Sequence, residues 1–180
     1  MLFRSFCFHT GVGYDAAVVR EVERRASLKR WFGHPLFIEA ALRTWLVGYD
    51  RRTPHYSLTS PDAGPVDGYF TVVLNTNPYT FLGNRPLDLS PAASLDRGLV
   101  AVTFRTLDLA TVLRTANRAL RSGGVEADDH IDVRTDLEAL DIESTTPFPY
   151  QLDGDYLGET SHLEFRHVPD AVRLVRPLEP

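Results

Sequence analysis

With a single cysteine in 180 residues, the chain has no partner for an internal disulfide, and the thiolate clusters of zinc-finger sites are excluded. Cys7 lies inside an apolar run, which marks it as a core thiol rather than a nucleophile. No apolar stretch approaches the roughly 20 residues that cross a bilayer, and the N-terminus lacks the charged-then-apolar pattern of a signal peptide. A reducing, cytoplasmic setting follows, with any membrane contact peripheral and at the inner face. Basic residues are outnumbered: the formal charge is −5 and no basic face stands out, which argues against nucleic acid as a partner. The six histidines, at 9, 34, 55, 130, 162 and 167, form neither an HExxH helix nor a pair at ligand spacing. No Gly-x-Ser-x-Gly elbow is present. Gly11-Val12-Gly13 has neither the lysine of a phosphate loop nor the third glycine of a dinucleotide fingerprint.

What is present fits one domain spanning residues 1–180, long enough to bury a core without staples. Phe6, Phe8 and Thr10 alternate with Cys7 and His9, predicting a strand that Gly11 and Gly13 turn. The strand begins with no lead-in, as though the chain continued from upstream sequence. Asp15 is placed to cap a helix with Val18, Val19, Val22 and Ala26 on one face and Arg20, Glu21, Glu23 and Arg24 on the other. His34-Pro35 opens a second helix, with Ile38, Ala41, Leu42, Trp45 and Tyr49 along its apolar stripe and Trp45 in the core. Strands follow at 56–60 and 69–75, separated by a turn at 61–65. A loop over 76–97 with four of the chain's prolines and glycines precedes a strand at 98–105. Asp108 caps a third helix with Leu109, Val112, Leu113, Ala116 and Leu120 on one face, ended by Gly123-Gly124. Further strands are expected at 130–135, 140–144, 162–168 and 172–175. The class expected is α+β, mainly β: an antiparallel β-sandwich with two N-terminal helices and one later helix packed on it.

The residues with chemical promise are carboxylates beside glycine. In Gln151-Leu152-Asp153-Gly154-Asp155, two short-stemmed acids flank a glycine between strand-like runs. Asp-Gly between apolar runs is first a hairpin signal. Asp96, in Ser94-Leu95-Asp96-Arg97-Gly98, is a third such acid. Two or three of these together would hold Mg²⁺ through oxygen or take a proton from a hydroxyl.

Four features occur in a telling order. They are Gly11-x-Gly13-Tyr14-Asp15, then Asn75 closing a β run, then Pro91-x-Ala93-x-x-Asp96-x-Gly98, then Gln151-Leu152-Asp153-Gly154-Asp155. Together they resemble the C-terminal domain of the bacterial diacylglycerol kinase-like lipid kinases, relatives of sphingosine kinases and NAD kinases. The resemblance covers nearly the whole chain.

It implies a two-lobed enzyme using ATP and Mg²⁺, whose nucleotide-binding lobe carries a Gly-Gly-Asp-Gly-Thr motif absent here. This chain would be the β-sandwich lobe, inactive alone, with a lipid such as diacylglycerol and the missing lobe as partners. By the match, Asp153 is the base that acts on the lipid hydroxyl, and Asp155 is a second carboxylate near metal or phosphates. The alternative within the family is that the aspartate of the absent motif is the base and Asp153 positions the metal. A structural Mg²⁺ is implied at Asp96, but Arg97 stands where a second aspartate would be, and a cation there opposes the ion. Two other readings stay open: a non-catalytic β-sandwich binding module with 76–97 as its binding feature, and an NAD kinase-like enzyme.

Overall fold

The nearly continuous apolar runs at 70–74 and 99–104 build two neighbouring strands whose opposite faces both end up buried. Val72, Leu74, Val100, Val102 and Phe104 enter one core, and Val73, Leu99 and Ala101 enter another. In the computed structural model, which describes residues 3–25, 39–121 and 123–171, these strands lie near the middle of an eight-stranded antiparallel sheet. The strands are β1 (His9–Gly13), β2 (Tyr56–Ser60), β3 (Ala63–Gly68), β4 (Phe70–Leu74), β5 (Thr80–Leu82), β6 (Arg85–Leu87), β7 (Leu99–Phe104), β8 (Ile131–Leu137), β9 (Ala139–Leu152) and β10 (Asp155–Arg166). The main sheet runs β3-β2-β9-β1-β4-β7-β8, with β10 on the other edge of β9, and among the described residues β5 pairs only with β6.

Strand β9 turns this sheet into a sandwich. Its 14 residues share one edge between two partners: 141–143 pair with β2, and 150–152 pair with β1. Along its other edge β10 follows it throughout, with register shifts between Tyr156 and Gly158 and between Thr160 and His162. Such irregularities let a strand bend. One half of the β9–β10 ribbon therefore belongs to a layer with β2 and β3, the other half to a layer with β1, β4, β7 and β8. Leu58, Val66, Leu140, Ile142 and Phe165 from the first layer meet Val12, Val73, Ala101, Leu137 and Phe148 from the second in the main core.

The open side is closed by a polar bridge. Arg134 of β8 donates to Ser60 Oγ (2.8 Å) and to the Gly64 carbonyl (2.6 Å), while its Nε donates to Asp132 (2.9 Å). An end strand of the path is thereby tied to the β2–β3 hairpin.

Helix α1 (Tyr14–Glu23) buries Val18, Val19 and Val22, as its periodicity predicts, and Ala26 lies outside the described residues. Of the second predicted helix, 34–38 lie outside the described residues, 39–43 are helical, and Thr44–Gly48 form a π-helical turn. Trp45 is only partly buried, with its indole N–H donating to the Leu107 carbonyl (2.9 Å) and the Arg51 guanidinium over its ring (4.0 Å). Helix α2 (Leu109–Arg121) is capped as expected, Thr111 N–H donating to Asp108 Oδ1 (2.9 Å). Its orientation differs from the expected one. The face it buries carries Thr111, Thr115 and Ala119, and Leu109 and Leu113 are exposed.

Other boundaries also shift. The first strand is His9–Gly13, with the two glycines inside it rather than after it. Residues 63–65 belong to β3, not to a turn, and 76–97 contain the β5–β6 hairpin. Cys7 is exposed, not a core thiol, because it precedes β1 and lies over the rim of the sandwich. The strand expected at 172–175 lies outside the described residues.

Candidate functional site

The turn between β9 and β10 consists of Asp153 and Gly154, both with positive φ (49° and 93°), as a two-residue hairpin twisted with its strands requires. The hairpin reading of Asp-Gly is therefore correct, and it aims Asp153 back across the rim. Its Oδ1 accepts from the backbone N–H groups of Phe8 (2.9 Å) and His9 (2.9 Å), and its Oδ2 accepts from that of Cys7 (2.8 Å). The Asp153 N–H in turn donates to the His9 carbonyl (2.9 Å). From the other side, Asn75 donates through Nδ2 to the Cys7 carbonyl (3.1 Å) and through its N–H to the Phe8 carbonyl (2.9 Å). Two of the sequence-predicted residues thus grip the same short segment.

Beside this clamp lies a buried polar chain. Asp15 is not the helix cap: Gly13 occupies that position, with no side-chain cap bond. Asp15 instead sits in the first turn of α1, where its Oδ2 accepts from Gln151 Nε2 (2.8 Å) and its Oδ1 from the Tyr79 hydroxyl. Gln151 Oε1 then accepts from the N–H of Gly154 (2.8 Å). The carboxylate of Asp15 is thereby connected, through one side-chain amide, to the backbone of the Asp153-Gly154 turn. Gly11 makes the arrangement possible, since a β-carbon there would fall 1.7 Å from Asp15 Oδ2 and 2.7 Å from Gln151 Nε2.

The electrostatics follow from burial. Tyr79 is pushed well above its ordinary pKa by burial and by Asp15, so its hydroxyl stays a donor. The His9 ring meets the Tyr79 ring edge-on (centroids 4.7 Å apart). Burial lowers the His9 pKa, opposed by the charges of Asp15 and Asp153.

Asp155 and Asp96 are exposed, and among the described residues no hydrogen bond or ion pair engages either carboxylate. Asp155 begins β10 within the same turn as Asp153. Asp96 lies on the same rim before β7, but β1 and β4 stand between β7 and β9. Three strand spacings put it roughly 14 Å away. No group of three acidic, histidine or cysteine side chains able to hold a metal occurs among the described residues. Asp96 next to Arg97 does not fit a resident Mg²⁺.

The sequence reading missed Tyr79, Gln151 and His9 as site members, and it took Asp15 for a cap. The one available signal was the pair of glycines before Asp15, which mark a crowded backbone.

The antiparallel sandwich also occurs among solved structures. No protein-family model and no curated protein matches the sequence. Three solved structures from Bacillus anthracis str. Sterne share the fold. Two, each described as a "putative diacylglycerol kinase", match at TM-score 0.56 with 18% and 15% identity, over 89% and 91% of this chain. The third, described as a diacylglycerol kinase, matches at TM-score 0.50 with 11% identity over 87%. The chain spans about half the length of these structures, 49%, 50% and 44% respectively. It has the fold of diacylglycerol kinase-like proteins, and its extent is consistent with their C-terminal domain.

Proposed function

We propose that this chain is the substrate-side lobe of an ATP-dependent lipid kinase acting on a hydroxyl of diacylglycerol or a related lipid. Asp153 is the base and Asp155 the second carboxylate. The observation that carries this reading is the chain from Asp15 through Gln151 to Gly154, which locks the two motifs of the family resemblance into one rim. Phosphoryl transfer asks a protein mainly for positioning, for charge stabilisation and for a group that orients the attacking hydroxyl. Three backbone donors fix the Asp153 carboxylate, and of about four acceptor positions on a carboxylate one remains, on Oδ2. That oxygen accepts the hydroxyl proton while the hydroxyl oxygen bonds to the γ-phosphorus and the bond to the β-phosphate's bridging oxygen breaks. ATP and its Mg²⁺ would be held by a nucleotide-binding lobe outside this chain.

A second reading, a binding module without catalysis, draws on the same clamp, because three amides on one carboxylate also suit a purely structural role. The two are separated by joining the chain to a nucleotide-binding lobe of this fold and measuring ATP-dependent phosphorylation of diacylglycerol. Asp153→Asn is expected to lower the rate by about two to four orders of magnitude, the range for loss of a general base. An unchanged rate removes Asp153 from the mechanism. The variant also turns an amide NH₂ toward backbone donors and costs about 1–3 kcal/mol of stability. Thermal unfolding of each variant is therefore measured alongside. Asp155→Asn, which breaks no hydrogen bond, tests the second carboxylate free of that complication.

A further inference from the structure

Among the described residues the β5–β6 hairpin pairs with no other strand, and its exposure pattern is unusual for a folded chain. Phe81 is 52% exposed and Leu82 is 42% exposed, next to each other on β5. Neighbours on a strand point to opposite faces, so the hairpin shows apolar surface on both sides. Their cross-strand partners, Pro86 and Arg85, are exposed as well. Gly83, with φ 63°, turns the tip without adding a side chain. Arg85 is the only charged residue from Thr76 to Leu87.

The base of the hairpin is tied to the candidate site. Tyr79 N–H donates to the Leu87 carbonyl (3.1 Å), closing the hairpin, while the Tyr79 hydroxyl binds Asp15 and its ring meets His9. On the far side Asn77 Nδ2 donates to Asp88 Oδ1 (3.2 Å), and the Asp88 N–H donates to the Ala119 carbonyl (3.0 Å). A tip with apolar side chains on both faces thus rises from a rigid base beside the carboxylates.

We infer that this hairpin is a membrane-docking wedge, inserting Phe81 and Leu82 into the surface of a bilayer that contains anionic lipid. A flat protein partner would cover one face of a two-stranded ribbon and leave the other wet, whereas the interfacial region of a bilayer surrounds both. Arg85, unopposed by any acid on the hairpin, suits an anionic headgroup. The inference rests on the proposed function, because docking there would bring a lipid hydroxyl to the rim that holds Asp153.

The test is co-sedimentation of the full chain with vesicles of phosphatidylcholine, alone or mixed with phosphatidylglycerol. Wild type is expected to bind the mixed vesicles. Phe81→Ser with Leu82→Ser is expected to weaken that binding by about tenfold or more, from the lost apolar burial. Arg85→Gln is expected to weaken it by roughly fivefold on mixed vesicles, and not on phosphatidylcholine alone. The fluorescence of a Phe81→Trp variant should be quenched by brominated lipid, and unaltered thermal unfolding would show that the sandwich persists. Absence of vesicle binding by wild type, or equal binding by the double variant, overturns the proposal. So does the two-lobed protein if its nucleotide-binding lobe shields the introduced indole from quenching, since the tip is then a protein interface. Activity on a short-chain diacylglycerol in detergent micelles separates the two readings. Turnover there without vesicle binding defeats the wedge alone, and vesicle binding without turnover defeats the kinase reading alone.

Discussion

At Gly11 the backbone passes so close beneath Asp15 that any side chain would displace the carboxylate or the Gln151 amide behind it. Gly11 is thus the sequence-level trace of a buried acid, legible only as crowding. Asp153 was legible as a hairpin residue. That its carboxylate reaches Cys7, Phe8 and His9, some 144–146 positions earlier, was not, because no local pattern encodes a bond between distant segments. His9 supplies a prediction at this scale. Its ordinary pKa of 6.5 is lowered in the folded chain, burial outweighing the attraction of Asp15 and Asp153. The unfolded chain therefore takes up this proton at higher pH than the folded one, and protonation favours unfolding. Its contribution is constant above 6.5 and is lost as pH falls through 6.5 toward the folded value. Melting temperatures recorded from about pH 7.5 down to pH 5 should show a shallower acid decline in His9→Gln than in wild type. An identical slope would show that His9 takes no part in it.

Among the elements, α2 shows how a pattern locates a helix yet misplaces its face. Apolar residues at 109, 112, 113, 116 and 120 make a clear stripe, and the helix spans Leu109–Arg121 as expected. Yet the stripe's edge, through Thr111, Thr115 and Ala119, is what meets the sheet, beside Leu89, Ala93 and Val125. Small residues let the helix approach the strands closely, and leucines on that face would hold it off. Leu113→Gln, at a site 59% exposed, is accordingly expected to change stability by less than about 0.5 kcal/mol. Ala119→Leu should destabilise by about 1–3 kcal/mol through overpacking. Urea denaturation of both variants checks the pair, and the opposite ranking would restore the leucine stripe as the buried face. Strands with two buried faces, β4 and β7, were the easiest to read, since continuous β-branched runs bounded by turn residues leave few alternatives. β3 escaped notice because Ala63-Gly64-Pro65 carries turn chemistry while its partner β2 supplies the pairing.

For the molecule as a whole, the decisive feature is closure. Arg134, with a side chain 8% exposed, spans from β8 to the β2–β3 hairpin and satisfies Ser60, Gly64 and Asp132 at once. Removing it strands these partners where the two layers meet. Arg134→Met is expected to cost about 3 kcal/mol, visible as a lower urea midpoint. A midpoint equal to wild type would show that the layers hold together without it. The sequence by itself determined the mainly β class, the positions of α1 and α2 and the Asp153-Gly154 hairpin. These depend on local periodicity and turn chemistry, which act over a few residues. Only the tertiary structure decided that β9 bends to serve two layers, that Asp15 faces Gln151 rather than its own helix, and that the Asp153 turn grips the segment leading into β1. Each of those is a pairing between segments far apart in the chain, chosen by which surfaces could be buried together with nearly all their polar groups still partnered.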